Sequence, residues 1–210
     1  MENKLILSIG RQVGSGGLSV ARALSEDLGI KLYDSELLAE AARHSGLNAS
    51  VFERRDEKGS RHLKSVLSFR SLLGGTTNSM NNSVMADEET FKIQSNVMRK
   101  IASEGPAIFV GRCADYILRD DQELFTVFIT APIEERIARV AQLRGISEKD
   151  AAKYIEKTER SRAEYYNYYT FKRWGEAASY DLCVDSSKIG GVEGTVEFIK
   201  TALKLWQTKR

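Results

Sequence analysis

The stretch SIGRQVGSGGLSVAR at residues 8–22 decides the fold of this chain. It follows an apolar run and precedes a segment with helical spacing, and four glycines fall within eight of its positions: Gly10, Gly14, Gly16 and Gly17. A glycine-rich turn between a strand and a helix leaves backbone N–H groups unpaired, and the helix N-terminus adds partial positive charge. The stretch therefore predicts a strand–turn–helix unit whose backbone binds phosphate. The alternative is a tight turn with no ligand.

The stretch departs from the usual phosphate-loop pattern, GxxxxGK[ST], at two positions. In that pattern the lysine neutralises the β- and γ-phosphates and the hydroxyl holds magnesium. If Gly16 is the second glycine, Gly17 takes the lysine position and Leu18 the hydroxyl position, with Ser19 one place later. The motif alone is therefore a weak match, and the rest of the chain has to decide between the two alternatives.

Five short apolar or β-branched runs recur along the chain, each followed by helical periodicity, at residues 5–9, 31–33, 107–110, 124–129 and 182–184. Runs that are apolar on both faces and alternate with helices predict a parallel sheet covered by helices. One helix is expected to have Pro132 at its first position and to close at Arg144 and Gly145. Ser147 with Asp150 resembles a capping box for a second long helix that continues to about residue 171.

Two stretches interrupt the alternation and are expected to be peripheral flaps. Residues 50–82 are charge-dense and then polar, which is typical of a helical insertion tipped by a loop. Residues 144–174 are rich in arginine and tyrosine. Flaps of this kind exclude water from a phosphoryl-transfer site.

Composition narrows the class of protein. At 210 residues one α/β domain is expected, and 31 Lys and Arg against 29 Asp and Glu argue against nucleic acid or a membrane surface as partner. The N-terminal apolar run is shorter than a signal peptide or a spanning helix needs, so a cytoplasmic protein is expected. Cys113 and Cys183 have no CxxC spacing, so neither a disulfide framework nor a structural zinc site is predicted.

Five ordered motifs together resemble the cytidylate-kinase-like proteins, a branch of the nucleoside monophosphate kinases in the P-loop family. They are SIGRQVGSGG, LGIKLYDSELL, AIFVGRCADYIL, FITAPIEERIARV with LRG, and SYDLCVDSS. The resemblance runs from residue 4 to about residue 205. It implies a three-layer α/β P-loop kinase fold, in which helices flank a five-stranded parallel sheet, with a helical acceptor-binding insertion and a lid. The expected single domain has a core at 1–49, 84–143 and 175–210, the insertion at about 50–83 and the lid at about 144–174.

The resemblance also implies an activity. Family enzymes move the γ-phosphoryl group of ATP to CMP or a related pyrimidine monophosphate, with Mg²⁺ bridging phosphates, while the protein positions reactants and neutralises charge. Nucleotides are then the partners. The sequence leaves open the acceptor base, the oligomeric state and the competence of a loop without lysine.

The resemblance assigns site residues by motif. The loop residues that would hold the ATP phosphates are Gly14, Ser15, Gly16, Gly17, Leu18 and Ser19, and Ser19 is the candidate magnesium ligand. On the acceptor side, Arg112 matches the arginine that holds the acceptor phosphate, with Asp115 nearby and Cys113 where relatives usually have an aspartate. Asp34 and Ser35 match the stretch that lines the acceptor site, and capping of the next helix is an equal alternative for them.

Arginines are the candidate catalytic groups, because a positive charge over the transferring group stabilises its transition state. The lid candidates are Arg136, Arg139, Arg144, Arg160, Arg162 and Arg173, with Arg160 and Arg162 preferred and Arg144 next. Arg11 is the candidate replacement for the lysine, because GRQVG is one residue longer before its glycines than the loop of ordinary relatives.

Two other functions compete with a nucleoside monophosphate kinase. One is a kinase of another small phosphorylatable acceptor on the same scaffold. The other is a non-catalytic nucleotide-binding sensor, which would have little need for arginines at the lid and acceptor positions. A nucleic-acid binder is disfavoured by the balanced charge.

Overall fold

The computed structural model describes residues 4–44 and 80–208. The chain divides into two compact units, one comprising Met1–Leu32 and Pro106–Arg210 and the other Tyr33–Gly105. Most of the insertion expected at about 50–83 lies outside the described residues, so its helical character stays a prediction, as do the predicted boundaries of core, insertion and lid. Within the described ranges, no helix combines the length and the apolar character needed to cross a membrane.

A five-stranded sheet forms the centre of the fold, as predicted, and its strands are β1 (Ile6–Arg11), β2 (Leu32–Tyr33), β3 (Ala107–Val110), β4 (Leu124–Thr130) and β5 (Leu182–Asp185). The strand order is β2-β3-β1-β4-β5. The central β1 pairs in parallel with β3 and with β4, and β4 pairs in parallel with β5. Because parallel strands end at one edge of a sheet, the segments that follow β1, β3, β4 and β5 gather there, where ligands bind in open α/β sheets.

Helices of the first unit cover this sheet: α1 (Gly17–Leu28), the short α4 (Ala114–Ile117), α5 (Ile133–Arg144), α6 (Glu148–Thr170) and α7 (Gly191–Thr208). The core lies where α1 and α7 pack on the sheet, and Leu24 and Ile199 are fully buried there with Leu7 and Ile9 of β1. Each such side chain contributes about 1.5–3 kcal/mol when removed from water. The core therefore fixes the end of β1 and the start of α1.

Helices α5 and α6 form an antiparallel pair joined by a tight turn. Gly145 ends α5 in the left-handed conformation, as predicted. Pro132 is the N-cap of α5 and not its first helical residue, since its ψ of 144° is extended. Ser147 caps α6, accepting a hydrogen bond from the Asp150 amide at 3.1 Å while its hydroxyl donates to the Asp150 carboxylate at 2.7 Å. The predicted N-cap at Ser147 and the helix end near residue 171 are confirmed, whereas Asp150 accepts the Ser147 hydroxyl and not the Ser147 amide of a full capping box.

The second unit contains α2 (Ser35–His44) and α3 (Met80–Glu104), which pack on each other. Asp34 caps α2, because its Oδ1 accepts the amides of Glu36 at 3.0 Å and Leu37 at 3.1 Å. The capping alternative weighed for Asp34 is therefore confirmed, and Ser35 is the first residue of the helix. The acceptor role of both residues stays a prediction.

Candidate active site

The loop between β1 and α1, residues 12–16, is held from outside through its backbone. Five consecutive carbonyl oxygens, that of Arg11 at the end of β1 and those of loop residues 12–15, each accept a side-chain donor: Arg162 Nη1 on Arg11 at 3.3 Å, Ser15 Oγ on Gln12 at 3.0 Å, Arg136 Nη1 on Val13 at 3.3 Å, Arg139 Nη1 on Gly14 at 2.5 Å and Ser186 Oγ on Ser15 at 2.8 Å. Four of these donors come from α5, from α6 or from the segment after β5. Because the carbonyls are engaged, the polar groups left to the loop are N–H donors.

The N–H groups of Gly14, Gly16 and Gly17 have no protein acceptor among the residues that the structure describes. They lie at and just before the start of α1, where the helix dipole adds partial positive charge. The loop needs glycine at position 14, which has φ +81° and where a Cβ would lie 2.7 Å from the carbonyl oxygen of Arg136. This arrangement binds an anion through the backbone, without a lysine.

A buried ion pair between Arg136 and Glu159 supports the backbone of the loop. Arg136 is 6% exposed and donates from Nη1 to Oε1 of Glu159 in α6 at 2.7 Å and from Nε to the carbonyl of Ala131 at 2.9 Å. The same Glu159 oxygen accepts the amide of Val13 at 2.9 Å. Arg136, a lid candidate from the sequence, is thus engaged by the loop and by α6, and it positions the loop backbone.

The side chain of Arg11 packs against Gly17, the residue at the lysine position of the usual pattern. A Cβ built on Gly17 would lie 2.5 Å from Cβ and 3.0 Å from Cγ of Arg11, and a Cβ built on Gly111, just after β3, would overlap Nη1 of Arg11. The side chain of Arg11 therefore runs from the start of α1 to the end of β3. Its catalytic role stays a prediction.

The other predicted arginines fall into two groups. Arg162 and Arg139 contact the loop, and burial lowers the pKa of Arg162 below its usual value. Arg144 and Arg160 point elsewhere. The Arg144 guanidinium stacks 3.9 Å from the ring centroid of Tyr154, and Arg160 forms an exposed ion pair with Glu156 at 2.7 Å. Arg173 is exposed as well.

Sequence reasoning missed Glu159 and ranked Arg136 and Arg139 below Arg160. A usable signal was present, because Arg136 and Arg139 are three apart in the helix after β4, and β4 lies beside β1. One helix face after that strand therefore lies next to the loop. Glu159 and Arg162 show the same three-residue spacing in α6.

The acceptor-side turn after β3 has an unusual backbone. Gly111, Arg112 and Cys113 are three consecutive residues with left-handed φ values of 73°, 61° and 58°. The left-handed conformation costs roughly 1–2 kcal/mol for each residue with a side chain. The Arg112 guanidinium lies 5.9 Å from the ring centroid of Tyr165 in α6. The turn thus aims Arg112 alongside α6, and backbone strain of this kind is common at functional sites.

Asp115 is tied to α6 by the hydroxyl of Tyr166, which donates to its Oδ2 at 2.7 Å. Burial raises the pKa of Asp115 above its usual value, and the Tyr166 hydrogen bond opposes that rise. Burial, the charge of Asp115 and the hydrogen bond to it raise the pKa of Tyr166. Burial also raises the pKa of Cys113, so its thiol is protonated and unreactive. Asp115 as an acceptor-binding residue stays a prediction.

Loop residues 12–16 contain one hydroxyl, that of Ser15, which is fully buried and donates to the carbonyl of Gln12 and so does not face a magnesium ion. Leu18, at the hydroxyl position of the pattern, packs against the core, and Ser19 is exposed. Within residues 4–44 and 80–208, no three histidine, cysteine or acidic side chains are grouped so as to hold a metal. The residues present therefore do not fit a magnesium ion held by side chains of the loop, and Ser19 as its ligand stays a prediction.

Comparisons with known proteins identify the family and the fold. The sequence model of the cytidylate kinase-like family matches residues 6–188. A cytidylate kinase of Methanopyrus kandleri is 26% identical over 209 residues, covering 95% of this chain and 93% of its own. An uncharacterized protein from Eubacterium ventriosum has a crystal structure that is 27% identical with a TM-score of 0.72, covering 96% of this chain and 99% of its own. A shikimate kinase from Bacteroides thetaiotaomicron shares the fold at 13% identity and a TM-score of 0.52, covering 95% and 98%.

Proposed function

The chain belongs to the cytidylate kinase-like family, and on that premise we propose that it transfers the γ-phosphoryl group of ATP to a nucleoside monophosphate, CMP or a related pyrimidine monophosphate. The observation that carries the proposal is the loop after β1. Its carbonyls are engaged by outside donors, and the N–H groups of Gly14, Gly16 and Gly17 are left without a protein acceptor among the described residues. Phosphoryl transfer needs little from a protein except such positioning and charge.

On the donor side, the loop amides and the start of α1 hold the ATP phosphates. Arg139 and Arg162 add positive charge at the rim, since each donates to a loop carbonyl from a neighbouring helix. Their donors outside that contact are available to phosphate oxygens, because a guanidinium carries five N–H groups. The arginines of α5 and α6 thus supply charge that a lysine supplies in other loops.

On the acceptor side, Arg112 holds the acceptor phosphate with bidentate hydrogen bonds. Support comes from its place at the end of β3, directly beside β1 in the sheet. Asp34 and Ser35 by their motif, and Asp115 by its own, stay predicted acceptor-binding residues. CMP is the first acceptor to test because the named relatives are cytidylate kinases.

The test is ATP consumption with excess Mg²⁺ and a panel of CMP, dCMP, UMP, AMP and GMP. We expect ADP and a nucleoside diphosphate to form with a pyrimidine monophosphate, and ADP production to stay at background without an acceptor. Turnover with a different small acceptor, and none with these five, would favour a kinase of another substrate class. ATP binding with no turnover on any acceptor would favour the sensor.

A pair of variants tests the acceptor assignment. Arg112→Ala removes a charge-assisted contact, so the KM for the acceptor is expected to rise about 10- to 100-fold. Arg119→Ala is the matched control, since Arg119 is an exposed arginine of the same segment that stacks on Tyr116 at 4.3 Å. An equal effect of both variants contradicts the assignment of Arg112.

A further inference from the structure

The glycine at the lysine position is explained by its neighbour. Gly17 does not have a positive φ, and as the first residue of α1 its backbone accepts any side chain. What excludes a side chain is Arg11, whose Cβ lies 2.5 Å from the point where a Cβ of residue 17 would be. Two stem atoms of Arg11 meet that point, and a stem cannot swing away as a side-chain tip does. The Cβ at position 11, which any residue except glycine has, therefore accounts for the glycine at position 17, and Cγ of Arg11 tightens the contact.

The start of the Arg11 side chain is fixed. Arg11 is the last residue of β1 and pairs with Ile129 of β4. Its carbonyl accepts Nη1 of Arg162 at 3.3 Å. Because strand pairing and this hydrogen bond hold the backbone, the direction in which the side chain leaves is set by the fold.

The far end of the side chain is close to the acceptor-side turn. Nη1 of Arg11 lies against Gly111, whose Cβ, if present, would overlap it, and Gly111 directly precedes Arg112. The guanidinium therefore lies between the amides of the loop and the turn that carries Arg112. Of the three phosphates of ATP held by the loop, the terminal one is nearest to an acceptor at Arg112.

We infer that Arg11 replaces the missing lysine as the cation of the donor site and that its guanidinium contacts the γ-phosphate, the group that is transferred. The inference rests on the proposed function for the identity of the donor. A planar guanidinium gives two parallel hydrogen bonds to a phosphate, whereas an ammonium is a point charge. Arg11 thus binds the transferred γ-phosphoryl group, while the amides of Gly14, Gly16 and Gly17 hold the rest of the polyphosphate.

Binding of ATP and ADP separates this role from general phosphate attraction. We expect Arg11→Ala to weaken ATP binding in titration calorimetry by about 10-fold or more, as loss of a charge-assisted hydrogen bond does. ADP lacks the γ-phosphate, so the variant should bind ADP with an affinity within about twofold of that of the wild type. Loss of a charge-assisted hydrogen bond would change the affinity by more than that. Arg22→Ala, which removes an exposed arginine of α1, is the matched control and should change neither. Equal weakening of ATP and ADP, or no weakening of ATP, overturns the inference.

A substitution cycle tests the packing without any nucleotide. Gly17→Ala is expected to lower Tm in the wild-type background, because the new Cβ meets the stem of Arg11. In the Arg11→Gly background, which removes both Cβ and Cγ of residue 11, the same change should leave Tm unchanged or raise it, since alanine is preferred to glycine in a helix. The same loss of Tm in both backgrounds would contradict the packing of Arg11 over Gly17.

A lysine exchange connects packing with function. Gly17→Lys alone should bind ATP poorly, whereas Gly17→Lys with Arg11→Gly, which removes the Cβ that meets residue 17, should bind ATP more tightly than either single variant does. If the double variant has the Tm of the wild type but binds ATP no more tightly than the two single variants, a lysine at position 17 does not take over the role of Arg11. These binding and Tm measurements need no acceptor, so a failure of the proposed kinase activity is seen separately, as absent turnover by the wild-type protein.

Discussion

Glu159→Leu removes one carboxylate that serves two partners of the loop. Oε1 of Glu159 accepts Nη1 of Arg136 at 2.7 Å and the amide of Val13 at 2.9 Å. The Arg136 side chain is 7% exposed and the Glu159 side chain 19%. Leucine fills a similar volume but leaves a buried guanidinium without its anion and a loop amide without its acceptor.

The expected loss of stability follows from these two contacts. Breaking a buried ion pair by removing one partner costs about 3–5 kcal/mol. An orphaned amide adds about 1–3 kcal/mol. Because Glu159 is partly exposed, water offsets some of this cost, and we expect a total of about 4 kcal/mol. For a chain of 150–250 residues that corresponds to a fall in Tm of roughly 8–16 °C.

Thermal unfolding followed by circular dichroism measures the effect. The matched control is Glu156→Leu, three residues earlier in α6, where the carboxylate is 71% exposed and pairs with Arg160 at the same 2.7 Å. An exposed pair is worth at most about 1 kcal/mol. Glu159→Gln keeps an acceptor oxygen without the charge, so its Tm should fall between those of the two leucine variants. Equal Tm values for Glu159→Leu and Glu156→Leu would refute the reasoning.

Three further predictions concern the same unit. Gly14→Ala should cost at least about 2 kcal/mol by denaturant unfolding and abolish ATP binding, whereas Gly145→Ala, with a positive φ but open space, should cost about 1 kcal/mol and leave binding intact. Ser186→Ala leaves the carbonyl of Ser15 without its donor, so ATP affinity should fall severalfold by titration, and unchanged affinity would contradict that support. The raised pKa of Asp115 means that the folded protein binds more protons than the unfolded chain between pH 3.8, the unfolded value, and the raised pKa. Stability should therefore fall as pH rises through the raised pKa, and a Tm–pH profile of Asp115→Asn should lack that fall.

The sheet was predictable from sequence because buried parallel strands are apolar on both faces. The predicted run at 107–110 coincides with β3, and the other four runs lie within two residues of the observed strands. The position of the loop was predictable for a similar local reason. Its glycines fall between an apolar run and a helical pattern, and no distant residue is needed to see this.

The supports of the loop were predictable only in part, because the three-residue spacing of Arg136 and Arg139 marks one helix face but the contacts themselves join distant residues. Glu159 lies 146 positions from Val13 in sequence. Arg160 and Arg162 look like one motif in the sequence, but residues two positions apart in a helix point in directions about 200° apart around its axis. One therefore faces the loop and the other faces solvent, and the chain alone does not say which.

The close approach of Arg11 to Gly17 also limits the evolutionary paths open to this chain. A single mutation that restored lysine at position 17 would place its side chain against the stem of Arg11. A single mutation that removed Arg11 first would leave the γ-phosphate with neither Arg11 nor a loop lysine as its partner. If Arg11 acts as inferred, both intermediates are less fit than either end point, and the two sequences are separated by a fitness valley. The pair of Arg11 and Gly17 would then be epistatically locked, and lineages with Arg11 should keep glycine at position 17.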